Sequence, residues 1–329
     1  MWARVIIIGS DNEQGSAFRM KRILLLTGLC LPVILLALIL FIPAQFGQVV
    51  YQSTTRIEIK IYGLEQTLVD IGEMKISLYQ NEPADRPTIV MLHGFSADKD
   101  VFIRFAHYFA EDFNIVIPDM AGHGDTGFEE SWDYGMPAQA SRLAKIIEQL
   151  NIEKVHVIGN SMGGFISAYF AKMYPQKTLS VALVDPAGVS SPEASDMNKM
   201  LAQGHNPFLI HNRQEFDKFY AMTMEKPPYV PGFVLQTISE KYQQRRDQLE
   251  QIFGDILETE LLDSSLSEIH APALLLWGEE DRLIHVSSVK VWKAGIKDIQ
   301  VKTWPGIGHM PMLEIPQESA EVYRQFLGE

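Results

Sequence analysis

The stretch VHVIGNSMGGFISAY, Val155 to Tyr169, limits the fold of this chain more than any other. A β-branched apolar run leads into a serine and then into small and aromatic residues, at the point where a strand pattern becomes a helix pattern. Ser161 lies between Gly159 and Gly163. That spacing predicts a sharp strand-to-helix corner, in which glycines on both sides avoid conflict with the neighbouring strand and helix. A helix starting there points its backbone amides and dipole at the serine, a setting that favours developing negative charge.

The rest of the chain alternates short apolar runs with longer amphipathic stretches. Strands are expected at Gln66 to Ile71, Met74 to Tyr79, Thr88 to Leu92, Asn114 to Pro118, Val155 to Gly159, Leu179 to Val184, Ala273 to Trp277 and Ile299 to Trp304. Helices are expected at Pro137 to Leu150, Ser161 to Tyr174 and Pro316 to Leu327. This pattern is that of an α/β fold: a mostly parallel eight-stranded sheet, led by an antiparallel hairpin and covered by helices on both faces. Between Val184 and Ala273 no buried-strand run appears, and the segment is rich in Met, Phe, Gln and charge. At roughly 80 residues it is too long for a bare loop and reads as an inserted helical cap. The expected division is a core of 66–187 and 269–329, a cap of 188–268, and a linker of 43–65 whose Ile57, Ile59 and Ile61 suit either a strand or a surface helix.

In an open sheet of this kind ligands bind beyond the carboxyl ends of the strands, where Ser161 stands. A serine hydroxyl needs a base, and the base needs an orienting carboxylate. The corner resembles that of α/β hydrolases, and this resemblance implies the chain order serine, acid, histidine. Of nine histidines, His309 in GIGHMPMLE fits the base best, because it follows the last strand in a Gly-rich loop before the final helix. The acid should follow ALLLWG, where GEEDRLIH offers Glu279, Glu280 and Asp281. Asp281 lies a turn's length past the strand and is the first choice, with Glu280 as the fallback. His285 suits a helix start better than a base. An oxyanion hole needs two backbone amides, expected from Met162, directly after the serine, and from Phe95 in HGFSADKD. His93 and Gly94 would shape that loop.

Other groupings point elsewhere. Asp119, His123 and Asp125 in PDMAGHGDT lack the spacing of a metal site and suggest a structural loop. Met197, Met200, Phe208, Phe216, Phe219, Met222, Met224 and Phe233 could line an acyl pocket or form the core of the cap. No cofactor and no metal is expected. The net charge of -13, with no basic run beyond Met20-Lys21-Arg22, argues against a nucleic-acid partner. The single cysteine, Cys30, precludes an internal disulfide.

Cys30 falls within ILLLTGLCLPVILLALILFI, Ile23 to Ile42, which is free of charge over 20 residues. At about 1.5 Å per helical residue it spans the hydrocarbon layer of roughly 30 Å, so a transmembrane anchor is expected. No small-residue cleavage site follows it. Arg4, Arg19, Lys21 and Arg22 precede the run, and only Arg56 and Lys60 lie close after it. The positive-inside rule then puts residues 1–22 in the cytoplasm and the bulk of the chain outside, in the periplasm if the cell is bacterial. MKRILLLTGLC begins at Met20 like a short basic leader, which suggests Met20 as the natural start.

LHGFSADKD, PDMAGHGD, GNSMGG, DPAG, WGEED and GIGHMPMLE, in that order, give the chain from Gln66 to Glu329 a resemblance to serine hydrolases of the α/β-hydrolase fold. Together with the N-terminal apolar run, HGFSADKD is similar to the membrane-bound monoacylglycerol-lipase-like branch and the related bacterial lipases. The resemblance implies Ser161, Asp281 and His309 as nucleophile, acid and base, and Phe95 and Met162 as oxyanion donors. It also implies hydrolysis of lipid-like esters through an acyl-enzyme. Haloalkane dehalogenases and epoxide hydrolases carry aspartate at the corner, so Ser161 argues against both. Meta-cleavage C-C hydrolases share GNSMGG, but their oxyanion loop is richer in glycine. They would also need an acid-binding arginine, for which Arg104, Arg213 and Arg245 are the candidates. A non-catalytic binding protein on this fold would usually have lost one of the three residues.

Overall fold

The computed structural model describes residues 36, 37 and 43–328. Apart from Leu36 and Ala37, the apolar run 23–42 lies outside the described residues, as does 1–22. Among the described residues no helix is long and apolar enough to cross a membrane.

The sheet has eight strands: β1 (Leu64–Asp70), β2 (Lys75–Asn81), β3 (Thr88–Leu92), β4 (Asn114–Pro118), β5 (Val155–Asn160), β6 (Thr178–Val184), β7 (Ala273–Gly278) and β8 (Gln300–Trp304). Their order is β1-β2-β4-β3-β5-β6-β7-β8. β2 is antiparallel to β1 and to β4, and every other pairing is parallel. Central strands read as unbroken apolar runs because both faces are covered. Val90 and Leu92 of β3 face one core with Val157, Leu183 and Leu275, while Ile89 and Met91 face the other with Ile158, Ala182 and Leu276. Each valine, leucine, isoleucine or methionine among them, taken fully out of water, contributes about 1.5–3 kcal/mol.

The first helix, α1 (Pro43–Ile61), occupies the segment read as a linker. The three isoleucines follow a helical period: Ile59 is buried, and Ile57 and Ile61, two residues to either side, are exposed. A Cβ at Gly47 would come within 2.2 Å of the Phe233 carbonyl oxygen, so glycine is what lets α1 lie directly on the helix that carries Phe233. Phe46 packs against Phe233 beside it, the rings tilted by 56° with centroids 5.1 Å apart.

The short α2 (Ile103–Ala106) follows β3, and α3 (Met136–Gln149) and α4 (Met162–Met173) flank β5. Every residue of α4 from Met162 to Ala171 is buried, which explains its lack of a polar face. The insert between β6 and β7 is helical: α5 (Asp196–Ala202), α6 (Arg213–Thr223), α7 (Gly232–Gln244) and α8 (Arg246–Glu258). The chain closes with α9 (Val289–Gly295), α10 (Pro311–Glu314) and α11 (Pro316–Leu327).

Candidate active site

Ser161 occupies the corner between β5 and α4 with φ +56°, a left-handed value that a non-glycine residue keeps only where its surroundings enforce it. Here the Ser161 N–H donates to the Val184 carbonyl at 3.0 Å, and its own carbonyl accepts from Phe165 and Ala187, both at 3.1 Å. Close approach explains the two glycines. A Cβ at Gly163 would stand 2.1 Å from the Leu92 carbonyl oxygen, and one at Gly159 would stand 2.1 Å from the Gly163 carbonyl oxygen.

His309 lies in the loop after β8 and Asp281 in the loop after β7. The two meet, with His309 Nδ1 2.7 Å from Asp281 Oδ2 and both side chains buried. Asp281 Oδ1 accepts from the Leu283 and Ile284 amides at 2.8 and 3.0 Å, which fixes the carboxylate plane. Glu279 and Glu280 are exposed, so the first choice among the three acids is the one paired with the imidazole. His285 takes the helix-start position, its Nδ1 accepting from the Ser287 amide at 3.2 Å. The His309 amide donates to the Thr223 carbonyl at 3.1 Å, tying the loop to the end of α6. Its carbonyl accepts from Asn160 Nδ2 at 2.9 Å, so the residue before Ser161 holds the histidine loop against the corner.

The HGFS loop is held by two histidines. The His93 ring accepts the Met120 amide at Nε2, 3.1 Å away, and its Nδ1 donates to the Gly94 carbonyl at 2.8 Å. His123 accepts the Ser96 amide at Nε2, also at 3.1 Å, and donates from Nδ1 to the Ala121 carbonyl. An amide can only donate, so both rings are neutral with the proton on Nδ1. The residues weighed against a metal site thus have structural partners: Asp119 and Asp125 both bind the buried Lys99 ammonium of the same loop.

Burial brings the His93 imidazole down from its ordinary 6.5 to about 4. It lowers His123 too, with the neighbouring His93 adding to the effect. Between pH 6.5 and about 4 the unfolded chain therefore binds protons that the folded chain refuses. Stability is full above that window and is lost as pH falls through it. For His93 alone the loss approaches about 3 kcal/mol at its acid end. His93→Gln keeps an acceptor but does not titrate, so its melting temperature should start below wild type at pH 8 and converge towards it as pH falls. A gap that stays constant with pH would contradict this account.

Two apolar cavities meet at Ser161. One, of about 240 Å³, is bounded by Phe216, Phe219, Met224 and His309 and by Tyr51 of α1. The other, of about 370 Å³, is bounded by Met162, Phe165, Met197, Phe253 and Ile256. Phe95 and Phe208, with ring centroids 4.9 Å apart, border both. Of the methionines and phenylalanines between β6 and β7 that suit a pocket or a core, Met197, Phe208, Phe216, Phe219 and Met224 reach these cavities. Met200 and Met222 line a separate depression with His205, and Phe233 packs on α1. Of the three arginines, Arg104 pairs with Glu58 and Arg213 with Asp217, whereas Arg245 borders the first cavity while donating to the Gly122 carbonyl.

The sequence reading assigned no role to Asn160, Tyr51 or Asp185. Asp185 belongs to the DPAG segment, a motif whose position at the end of β6 was itself a signal.

Residues 87–209 match the family described as alpha/beta hydrolase fold. Lipase 1 of Psychrobacter immobilis is 33% identical over 262 residues, covering 78% of this chain and 81% of that protein. Monoacylglycerol lipase ABHD6 of Mus musculus is 26% identical over 261 residues, covering 76% and 78%. Among solved structures, a membrane phospholipase A described as a bacterial virulence factor superposes with a TM-score of 0.83 at 32% identity, covering 94% of this chain and 98% of the other.

Proposed function

The chain belongs to the α/β-hydrolase-fold family, and from that membership we propose that Ser161, His309 and Asp281 are its nucleophile, base and acid, with the Phe95 and Met162 amides as the oxyanion hole. It is a carboxylic ester hydrolase acting on lipid-like substrates. The observation that carries the residue assignment is the buried His309–Asp281 pair, 2.7 Å apart, whose histidine lines one apolar cavity together with Ser161.

In this reading His309 Nε2 removes the proton from Ser161 as its oxygen attacks the ester carbonyl. The two amides stabilise the developing oxyanion, each by about 3 kcal/mol. Collapse of the tetrahedral intermediate expels the alcohol, which takes its proton from His309 and leaves an acyl-enzyme. Water, activated by the same imidazole, then releases the fatty acid. This chemistry requires no cofactor.

The cavity walls, mostly apolar around Ser161, suit a single acyl chain with a small head group, as in a monoacylglycerol or a short to medium-chain ester. We assign residues 23–42 as a membrane anchor, with the hydrolase domain on the extracytoplasmic side and 188–268 as the cap. The uncharged run and its basic flank support the anchor. Purified protein without added cofactor should hydrolyse monoacylglycerols and p-nitrophenyl esters of lipid-like acids. Failure to turn over any of them would overturn the esterase reading.

A further inference from the structure

Asp185 directly follows β6 with φ +44° and is fully buried. Its Oδ1 accepts the Gly278 amide at 2.9 Å, while Oδ2 is enclosed with no hydrogen-bond partner as an ionised group. It does not face an empty pocket. One oxygen of Asp185, one oxygen of Asp281 and a ring nitrogen of His309 all lie within 4.8 Å of one another. β6 and β7 are neighbours in register, with Val184 beside Leu276, so the turns that follow them bring the two carboxylates together.

Two buried carboxylates at this separation do not both ionise, because each charge opposes the other where little water screens them. The donors decide which one keeps the proton. Asp281 receives the Leu283 and Ile284 amides and the His309 ring, whereas Asp185 receives only the Gly278 amide. A carboxylate has about four acceptor positions, and three on Asp281 are filled. We propose that Asp185 is a positioning residue: it remains a neutral carboxylic acid and donates its Oδ2–H to Asp281, completing the shell that keeps that carboxylate charged and aimed at His309. Burial, and next the negative charge of Asp281, push Asp185 well above the usual carboxylate range, with Glu314 of α10 adding in the same direction. No proton is transferred; it stays on Asp185 throughout the cycle. The inference rests on the assignment of Asp281 and His309 given above.

Two measurements on the full-length protein test it. In infrared difference spectra at pH 7, wild type should show the C=O stretch of a protonated carboxyl that Asp185→Asn lacks, whether or not any ester is turned over. Absence of that band would refute the neutral acid. A band accompanied by no esterase activity would instead bring down the ester-hydrolase reading alone. In the kinetic arm, Asp185→Asn retains a donor and adds no charge, so the acid limb of its kcat/KM profile should stay where wild type has it. Asp185→Leu removes the donor and should lower kcat about tenfold below that of Asp185→Asn at unchanged KM. An ionised Asp185 would instead make Asp185→Asn move the acid limb by about one pH unit. Equal kcat in the two variants would show that the donated hydrogen bond does nothing. If Asp185→Leu does not fold, the spectrum and the acid limb of Asp185→Asn still decide the question.

Discussion

Ester turnover by Ser161→Ala is expected to drop by about a million-fold in kcat, close to the loss that follows removal of any nucleophile working as a unit with its base. The substitution removes only one oxygen. It leaves φ +56° at the corner, the two glycines and the Val184 contact in place, so the variant should fold and melt as wild type does. Substrate binding should persist, because the apolar walls of both cavities are untouched. Covalent labelling by a fluorophosphonate, strong in wild type, should vanish. Labelling that survives in Ser161→Ala would identify a different nucleophile and end the proposed mechanism.

Asp281→Asn is expected to cost about 10⁴-fold in kcat, and for a geometric reason. Oδ1 of Asp281 is claimed by the Leu283 and Ile284 amides, which can only donate. An asparagine must therefore keep its carbonyl oxygen there and turn its NH₂ towards His309 Nδ1. That nitrogen would then have to accept, which moves the ring proton to Nε2, the atom required to take the proton from Ser161. The imidazole is left in the wrong tautomer while every backbone contact survives. Measured kcat at saturating ester, with a melting curve to confirm folding, checks this. A loss of less than tenfold would transfer the role to another carboxylate, with Asp185 the nearest.

Much of this was legible in the sequence because it is encoded locally. β3 and β4 fall at the residues that their apolar runs predict, and β5, β6 and β7 within one residue of them, since a strand covered on both faces writes an uninterrupted signature. The corner at Ser161 is legible because its glycines answer to backbone contacts, 2.1 Å from a hypothetical Cβ, that no other residue tolerates. His309 and Asp281 follow from their places after β8 and β7. The features that were missed depend on contacts between distant segments. α1 shows weak amphipathicity, and its packing depends on Gly47 meeting Phe233, which no window of sequence contains. The role of Asn160 comes from a carbonyl 149 residues away. Asp185 looks like an ordinary turn aspartate until the adjacent strand brings Asp281 beside it.

The position of α1 has a mechanical consequence. At one end Gly47 and Phe46 bear on α7 of the insert between β6 and β7, and in its middle the Tyr51 hydroxyl binds Asp100 at 2.6 Å, an aspartate that Tyr79 of β2 also grips. The helix thus fastens the helical insert to the sheet. Separating α7 from the sheet would mean carrying α1 along or breaking the hydrogen bond between Tyr51 and Asp100. Tyr51, the residue that makes this fastening, also borders the cavity at Ser161.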